Sequence, residues 1–350
     1  PLMRVSFVGR LTFQEVSWDE ALQFIATKMQ GIAVTVGPVR MALLHHGAGG
    51  HHFLHLLRAF GSDSHAEPAF AQCRGPRDVG FRLTFGESAS SPERTDMANA
   101  RCIVLLGSHI GENLHNGQVQ TLTEAINKDA TLITVDPRFS VPAGKSKHWL
   151  PIKPGTDIAL LLGWMNVVIE EELYDKDYVE RYTIGFEQLA AHVRQYTPEW
   201  VFLETGIRPE VIRETAREMG KAAPATVVHP GRHATWYGDD TQRSRAIGIL
   251  NALLGSWNRK GGFYIPEKVD MPHYPLPAYP EPKFKTGDAY PGKWPFASQG
   301  VTNGVIDESI GDDAFFKGWM EYGTNMPQTI PGADDKLRAP AESLYLVVVV

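Results

Sequence analysis

Two kinds of apolar pattern alternate along this chain. Some apolar residues stand in short continuous runs, which is typical of strands buried in a parallel sheet. Others recur every three or four positions over longer segments, the spacing of one face of a helix. The alternation predicts an α/β fold with mostly parallel, Rossmann-like sheets. The predicted strands are Met41–Leu44, Cys102–Leu106, Thr131–Val135, Thr226–Val228, Trp319–Tyr322 and Leu344–Val350.

The periodic segments and their end signals predict the helices. Ser17 and Glu20 form a capping-box pattern at the start of the first helix, and Thr156–Glu172 is predicted to be amphipathic. Residues 61–94 are polar and glycine-rich, which predicts a long functional loop. Residues 266–298 are rich in proline and predict an irregular connection at a domain boundary. The other predicted helices are 53–60, 115–128, Lys176–Tyr182, Phe186–Tyr196, Arg208–Gly220 and Thr241–Trp257.

Composition narrows the class of protein. The chain has 350 residues, 43% of them hydrophobic and 21% charged, as in a globular protein of about two domains. Its formal charge of −6 argues against nucleic-acid binding, and no apolar run is long enough to cross a membrane. Its two cysteines exclude a disulfide framework and a self-contained iron–sulfur or four-cysteine zinc site. Because it begins at Pro1 and ends in a strand-like run of valines, we expect a piece of a longer protein.

Three strand-end loops in the middle of the chain carry residues suited to a nucleotide. Gly107 permits close approach of the backbone to a phosphate. Asp136 can accept two hydrogen bonds from a ribose or from a guanine edge. In the loop Pro154–Asp157, the carboxylate of Asp157 either caps a helix or accepts a hydrogen bond from a base. Ligands of open α/β sheets bind outside the carboxyl ends of the strands. The lack of a GxGxxG or Walker A motif disfavours an ordinary NAD or ATP site.

Two further segments have both a chemical and a structural interpretation. Residues 45–52 contain four histidines, but the loop has no carboxylate, so a glycine-rich turn near a cofactor is favoured over a metal site. Cys73 lies beside Arg74 and Arg77, which favour the thiolate, and is either a metal ligand or nucleophile or a buried structural thiol. Cys102 opens an apolar strand and is predicted to be inert core.

A second set of strand-end loops follows later in the chain. Gly231 precedes Arg232, whose guanidinium can bind an oxyanion, and His233, which titrates near neutrality. A solvated loop is the competing interpretation of this segment. Gly323–Asn325 follows the strand at Trp319–Tyr322. Two sets of such loops are consistent with paired nucleotide-binding halves.

Several short motifs, weak alone, are specific in their order and spacing. The chain resembles the molybdopterin oxidoreductases of the dimethyl sulfoxide reductase family, and the resemblance covers nearly all of it. The motifs are Val16–Leu22, Val135–Arg138, Lys153–Asp157, Leu250–Gly255 with Gly261–Gly262, and Tyr322–Asn325. Within the family, the segments most similar to the catalytic subunits of polysulfide and thiosulfate reductases are Gly107–Asn113, Asp175–Phe186, and Arg232–His233 with Trp236–Asp240.

The resemblance implies a cofactor of molybdenum and two molybdopterin guanine dinucleotides. It places Cys73 as the protein ligand to molybdenum, and Arg232 and His233 as catalytic residues that face the metal. Residues implied to hold one dinucleotide are Gly107, Ser108, His109, Glu112, Asn113, Asp136, Pro137, Arg138, Pro154, Gly155, Thr156 and Asp157. Those implied for the other are Gly231, Gly323, Thr324 and Asn325.

The resemblance also implies the domain organisation. Residues 1–70 and 266–350 form one discontinuous α/β domain, and residues 71–265 form an inserted one, equivalent to domains II and III of the family. Each is expected to bind one guanine dinucleotide. The N-terminal domain with its [4Fe–4S] cluster and the C-terminal domain are expected in the full-length protein and not in this chain.

The implied function is reduction of polysulfide or thiosulfate by a molybdenum catalytic subunit in anaerobic respiration. Expected partners are an iron–sulfur electron-transfer subunit and a membrane-anchor subunit that oxidises quinol, at the periplasmic face of the cytoplasmic membrane. A respiratory arsenate or tetrathionate reductase is the alternative within the same class. A cofactor-free structural relative is the alternative from another class.

Overall fold

The computed structural model describes most of the chain. It forms two compact units, Pro1–Gln72 with Met271–Val350, and Cys73–Asp270. Each unit has its own parallel four-stranded sheet. The described residues are 1–4, 12–47, 49–67, 75–86, 95–108, 110–112, 116–231, 240–264, 302–311, 313–326 and 343–350.

The strands, in chain order, are β1 (Leu2–Arg4), β2 (Phe13–Glu15), β3 (Met41–His45), β4 (His65–Ala66), β5 (Cys102–Leu106), β6 (Thr131–Val135), β7 (His148–Leu150), β8 (Thr226–His229), β9 (Gly318–Tyr322) and β10 (Leu346–Val349). The helices are α1 (Trp18–Thr35), α2 (Gly50–Phe60), α3 (Gly75–Phe85), α4 (Asn116–Ile126), α5 (Asp157–Glu170), α6 (Lys176–Tyr182), α7 (Phe186–Val193), α8 (Pro198–Thr205), α9 (Pro209–Ala222), α10 (Asp240–Leu253) and α11 (Thr302–Asp307). Short 3-10 turns lie at Pro38–Arg40, Met97–Asn99 and Ala143–Lys145.

The sheet of the first unit has buried central strands, β3 and β9, whereas Val347 and Val349 of its edge strand β10 are exposed. Its strand order is β10-β9-β3-β4, all parallel, and β1 and β2 form a separate antiparallel pair. Met41 and Leu43 of β3 pack with α1 and α2, while Ala42 and Leu44 pack with α11 on the opposite face. Because successive strand residues point to opposite faces, an unbroken apolar run is what a sheet covered on both sides requires.

The sheet of the second unit is doubly wound. Its strand order is β7-β6-β5-β8, again all parallel. Val104 and Leu106 of β5 pack in one cluster with α5, α9 and α10. Ile103 and Leu105 pack on the other face with Phe81 of α3 and with α4. Helices therefore cover both faces of this sheet.

Each sheet has a topological switch point at its centre. From β5 the chain first adds β6 and β7 on one side and later returns to add β8 on the other. From β3 it adds β4 on one side and later β9 on the other. In the second unit, the chain after β5 leads to α4 on one face of the sheet, and the chain after β8 leads to α10 on the other face. A crevice opens at such a point, where α/β proteins bind ligands.

The predicted α/β class with parallel sheets is confirmed, and each of the six predicted strands is present. The capping box is also present, since Ser17 Oγ accepts from the Glu20 amide at 3.2 Å and Glu20 Oε2 accepts from the Ser17 amide at 2.8 Å. The predicted proline-rich connection at 266–298 lies outside the described residues. No helix in the described part of the chain is both long and apolar enough to cross a membrane.

The prediction of a continuous loop over residues 61–94 was wrong. The segment contains β4 and the eleven-residue helix α3. The side of α3 that packs inward carries Arg77, Asp78 and Gly80 beside Phe81, so its buried face is largely polar. A search for apolar periodicity therefore does not detect it.

The prediction that α5 is amphipathic was also wrong. Leu160, Leu161 and every residue from Gly163 to Val168 are buried. The helix packs against α8, α9 and α10 as well as the sheet, so most of its circumference is covered. A helix that is apolar around its circumference is typical of such a buried position.

Candidate functional site at the strand ends

The predicted loops of the second unit lie along one edge of its sheet. Because all four strands are parallel and adjacent, their carboxyl ends meet at this edge. The structure therefore brings together four segments that are far apart in sequence. They are Gly107–Ser108 after β5, Asp136–Arg138 after β6, Pro154–Asp157 after β7 and Gly231 after β8.

The loops after β5 and β8 touch through their backbones. Gly231 has a φ of +67°, and a Cβ atom there would lie 2.5 Å from the carbonyl oxygen of Leu106. Gly107 has a φ of +56°, and its amide donates to the carbonyl of Val135 at 3.0 Å. Both conformations favour glycine. The floor of the crevice is therefore backbone, with no side chain between the two loops at this contact.

A buried histidine supports the turn after β8. The amide of Gly231 donates to His229 Nδ1 at 3.1 Å, and His229 Nε2 lies 3.1 Å from Gln118 Oε1. Since Nδ1 accepts, the ring proton lies on Nε2 and is donated to Gln118. His229 is fully buried. Its neutral ring therefore holds the turn in place.

Ser108 brings an unsatisfied hydroxyl to the same edge. Its side chain is 2% exposed, and no residue in the described part of the chain hydrogen-bonds to Ser108 Oγ. Buried hydroxyl groups are rarely left without a partner in folded proteins. This one is available to a ligand oxygen bound at the switch point.

Asp136 and Arg138 form hydrogen bonds and ion pairs with other residues of the protein. Asp136 is buried, and its Oδ1 accepts from the Arg138 amide at 2.8 Å. The carboxylate of Glu112 pairs with the Arg138 guanidinium and accepts from the amide of Val141. Trp149 Nε1 donates to the Asp136 carbonyl at 2.8 Å. Glu112 and Arg138 thus brace the loops after β5 and β6 against each other.

The loop before α5 leaves its carboxylate available. Thr156 occupies the N-cap position without a capping hydrogen bond, and its hydroxyl donates to the Lys153 carbonyl at 2.7 Å. Gly155 has a φ of +83°, and the space where its Cβ would lie is open. Asp157 is the first residue of α5, and its Oδ1 lies 3.8 Å from Arg243 Nε. A carboxylate here is stabilised by the helix dipole.

Two buried arginines complete this edge, and the sequence analysis did not identify their roles. Arg77 of α3 donates to the Gly231 carbonyl, and Arg243 of α10 donates to the Pro230 carbonyl at 3.4 Å. Both are almost wholly inaccessible to solvent. Burial lowers the pKa of Arg243 from its ordinary value, while the Asp157 carboxylate opposes that shift. The available signal was the helical spacing of Arg243 with Ala246, Ile247 and Leu250, which are buried on α10.

The first unit repeats the backbone contact at its own switch point. Gly323 has a φ of +62°, and its Cβ would lie 2.8 Å from the carbonyl oxygen of His46. The amide of His46 donates to the Tyr322 carbonyl at 3.0 Å. Thr324 Oγ1 lies 3.9 Å from Met326 Sδ, and Asn325 follows in the same loop. The predicted Gly323–Asn325 loop is thus at the switch point.

The glycine-rich turn at residues 45–52 packs tightly against this edge. A Cβ on Gly49 would lie 2.0 Å from the Tyr322 hydroxyl, and one on Gly50 would lie 2.3 Å from His45 Nδ1. His45 is buried, whereas His46, His51 and His52 are exposed. No group of three metal-ligating side chains occurs among the described residues.

Five of the predicted site residues lie outside the described part of the chain. They are Cys73, His109, Asn113, Arg232 and His233. The described residues close to them in sequence include Gly75, which begins α3, and Gly231, which ends the turn after β8. Cys102 is buried core as predicted, and burial raises the pKa of its thiol.

The fold and these loops match known proteins over nearly the whole chain. A family model described as molybdopterin oxidoreductase matches residues 1–274. The thiosulfate reductase molybdopterin-containing subunit PhsA of Salmonella typhimurium is 32% identical over 99% of this chain and 47% of its own length. The dimethyl sulfoxide reductase DmsA of Escherichia coli is 30% identical over 75% of this chain and 36% of its own length. The chain thus spans less than half the length of either relative.

A solved structure shows the same fold. Acetylene hydratase from Pelobacter acetylenicus superposes with a TM-score of 0.77, at 23% identity, over 99% of this chain and 52% of that one. Together with the family match, the sequence relatives establish that the chain belongs to the molybdopterin oxidoreductase family. The resemblance drawn from the sequence motifs is therefore confirmed.

Membership of this family implies a molybdopterin cofactor and molybdenum. The residues along the edge of the second unit fit a group that carries phosphate. Ser108 presents a buried hydroxyl without a partner among the described residues, Gly155 leaves open space beside the backbone, and Arg243 presents a buried cation. These features suit phosphate and base groups.

Proposed function

We propose that the full-length protein is a molybdenum-dependent reductase that cleaves the S–S bond of polysulfide or thiosulfate in anaerobic respiration. The observation that supports this most strongly is the 32% identity to a thiosulfate reductase subunit, which extends over 99% of this chain. The proposal concerns the full-length protein, since this chain spans about half the length of that relative. Reduction of thiosulfate takes up two electrons and two protons and releases sulfite and sulfide.

The cofactor in this proposal is a molybdenum centre with two molybdopterin guanine dinucleotides. The crevice edge from Gly107 to Asp157 contributes to holding one dinucleotide, and Gly231 with Gly323–Asn325 contributes to holding the other. The full-length protein also contains a [4Fe–4S] cluster whose ligands lie outside this chain. When bound, the molybdenum centre supplies two electrons to the substrate in a single binding event.

The residues of this chain have separate tasks in the proposed reaction. Cys73 is the thiolate ligand that fixes the metal to the protein. Arg232 binds the anionic sulfur substrate through its forked N–H donors, and His233 supplies a proton near neutral pH. Both immediately follow Gly231, which is held by Arg77 and His229. The rigid turn after β8 thus gives the substrate-binding segment a fixed starting point.

The proposed partners complete the electron path. An iron–sulfur electron-transfer subunit delivers electrons to the full-length protein, and a membrane-anchor subunit oxidises quinol. The complex lies at the periplasmic face of the cytoplasmic membrane. The similarity to PhsA and DmsA supports a catalytic subunit. Co-purification of the full-length protein from its native membrane, followed by mass spectrometry, tests for both partners.

The substrate is tested with the purified full-length enzyme and a reduced viologen dye as electron donor. We expect oxidation of the dye with polysulfide or thiosulfate, and slower oxidation with tetrathionate or arsenate at the same concentration. Faster turnover of arsenate or tetrathionate would replace the proposed substrate while retaining the class of enzyme.

Metal analysis separates this proposal from a cofactor-free structural relative. We expect about one molybdenum per polypeptide in the full-length protein, and loss of turnover when Cys73 is replaced by alanine. Replacement of the buried thiol Cys102 by alanine is the matched control, since Cys102 lies in the sheet and is expected to affect stability more than turnover. Full turnover of Cys73→Ala would refute the ligand role.

A further inference from the structure

Arg243 is an unusual residue at the edge of the second sheet. It lies on α10 among Ala246, Ile247 and Leu250, which are buried, and is itself 3% exposed. A buried guanidinium is destabilising unless other groups pair with it. Its position therefore requires a reason beyond the packing of the helix.

The contacts of Arg243 leave much of its guanidinium unused. Nη2 donates to the Pro230 carbonyl at 3.4 Å, and Nε lies 3.8 Å from Asp157 Oδ1. Nε and Nη1 form no hydrogen bond with any residue in the described part of the chain. The ion pair with Asp157 is therefore close enough to orient the carboxylate but does not occupy its lone pairs.

The carboxylate of Asp157 is not used to cap its own helix. Thr156 takes the N-cap position, and no described residue donates a hydrogen bond to the Asp157 carboxylate. A carboxylate accepts two neighbouring N–H donors in a fork. The Watson–Crick edge of guanine presents two such donors, so a carboxylate held in place here suits that base.

We infer that Arg243 is the positioning residue for Asp157, and that it holds the Asp157 carboxylate in the orientation that binds a guanine base. Through Pro230 the same guanidinium joins the loop before α5 to the turn after β8. This inference rests on the proposed function, because it assumes that the bound cofactor carries guanine. Arg243 lies on the helix α10, outside all of the predicted binding loops.

The experiment uses the full-length holoenzyme and follows its guanine nucleotide, not its turnover. GMP released by acid hydrolysis is counted per polypeptide before and after dialysis, for the wild type and for Arg243→Met, Arg243→Lys and Asp157→Asn. After dialysis, we expect the GMP content of Arg243→Met to be lower than that of the wild type by about tenfold or more. Losses of this size are typical when a residue that orients a ligand-binding group is replaced. Arg243→Lys, which keeps the charge without the fork, should fall between it and the wild type.

The double variant Asp157→Asn with Arg243→Met distinguishes positioning from a general loss of structure. If Arg243 acts through Asp157, the double variant loses no more GMP than Asp157→Asn alone. A loss in the double variant equal to the product of the two single losses would overturn the inference, since the residues would then act independently. Melting temperatures by circular dichroism on the same samples report any loss of folding.

Arg245→Met is the matched control, because Arg245 lies on the same helix and contacts Gln242 instead of Asp157. It should retain GMP at the wild-type level. Equal retention by Arg243→Met and the wild type would overturn the role of Arg243 alone. Absence of GMP from the wild type would overturn the guanine cofactor of the proposed function, and the inference with it.

Discussion

The Cβ position of Gly231 and the carbonyl oxygen of Leu106 are separated by only 2.5 Å, closer than any side chain allows. Gly323 stands in the same relationship to His46 in the other unit, at 2.8 Å. Each contact joins the two loops at the switch point of its own sheet. Both crevices therefore begin on bare backbone, which suits close approach by phosphate groups.

Gly231→Ala should destabilise the protein strongly. The φ of +67° is unfavourable for alanine by about 1–2 kcal/mol, and the clash with Leu106 adds about 1–3 kcal/mol. Chemical denaturation gives the free energy of unfolding. Gly155→Ala is the matched control, because Gly155 also has a positive φ but open space around it. Equal losses in the two variants would show that the contact with Leu106 is not important for stability.

Gly80→Ala should separate α3 from α10. Gly80 is in a helix, so its backbone is not strained, but a Cβ there would lie 2.6 Å from the Thr241 carbonyl and 2.7 Å from Ser244 Cβ. We expect a loss of about 1–3 kcal/mol in the free energy of unfolding. Gly31→Ala in α1, where nothing lies within 4 Å, should instead stabilise by roughly 0.5–1 kcal/mol. A neutral Gly80→Ala would mean that the two helices can move apart freely.

Six of the strands were predictable from sequence because each is a short, mostly apolar run, although β9 also contains Glu321. Cys102–Leu106 and Thr131–Val135 are found with the predicted ends, since both faces of their sheet are covered by helices. The short edge strand β7, which was not predicted, contains only His148, Trp149 and Leu150, and two of the three are at least partly exposed. A pattern this short and mixed does not distinguish a strand from a loop.

The positions of the candidate loops were predictable where glycine and acidic residues follow an apolar run in the sequence. Gly107, Asp136, Asp157 and Gly323 were identified because they follow strands, and parallel topology brings strand ends together. Arg243 was not identified, since sequence alone does not show that a charged side chain on a helix points into the protein. Its importance depends on the tertiary contact with Asp157.

Glu321 should make the first unit less stable as the pH rises. Burial in β9 raises the pKa of Glu321 to about 7, above its value in the unfolded chain. The folded state therefore holds a proton that the unfolded state releases between about pH 4.5 and 7, and stability is lost across that range. The loss amounts to at most about 3 kcal/mol.

Thermal unfolding at pH 5 and pH 8 tests the role of Glu321. The wild type should melt at a lower temperature at pH 8, and Glu321→Gln should lose much of this difference. Glu15→Gln, which removes an exposed carboxylate of β2, is the control and should keep it. An unchanged difference in Glu321→Gln would assign the pH dependence to other groups.

Cys102 should resist alkylation in the folded protein. Its thiol is fully buried in β5, and burial raises its pKa, so little reactive thiolate forms. Iodoacetamide treatment at pH 8 followed by peptide mass spectrometry should find Cys102 unmodified until denaturant unfolds the second unit. Rapid modification without denaturant would contradict the packing of this sheet.

We propose that the strand-end crevices hold a molybdopterin cofactor whose metal is bound by Cys73. X-ray absorption at the molybdenum edge of the full-length protein tests it directly, with Cys73→Ser as the comparison. We expect molybdenum surrounded by the dithiolene sulfurs and one further sulfur in the wild type, and the loss of that one sulfur in Cys73→Ser. An identical sulfur shell in the two proteins, or no molybdenum in the wild type, would contradict it.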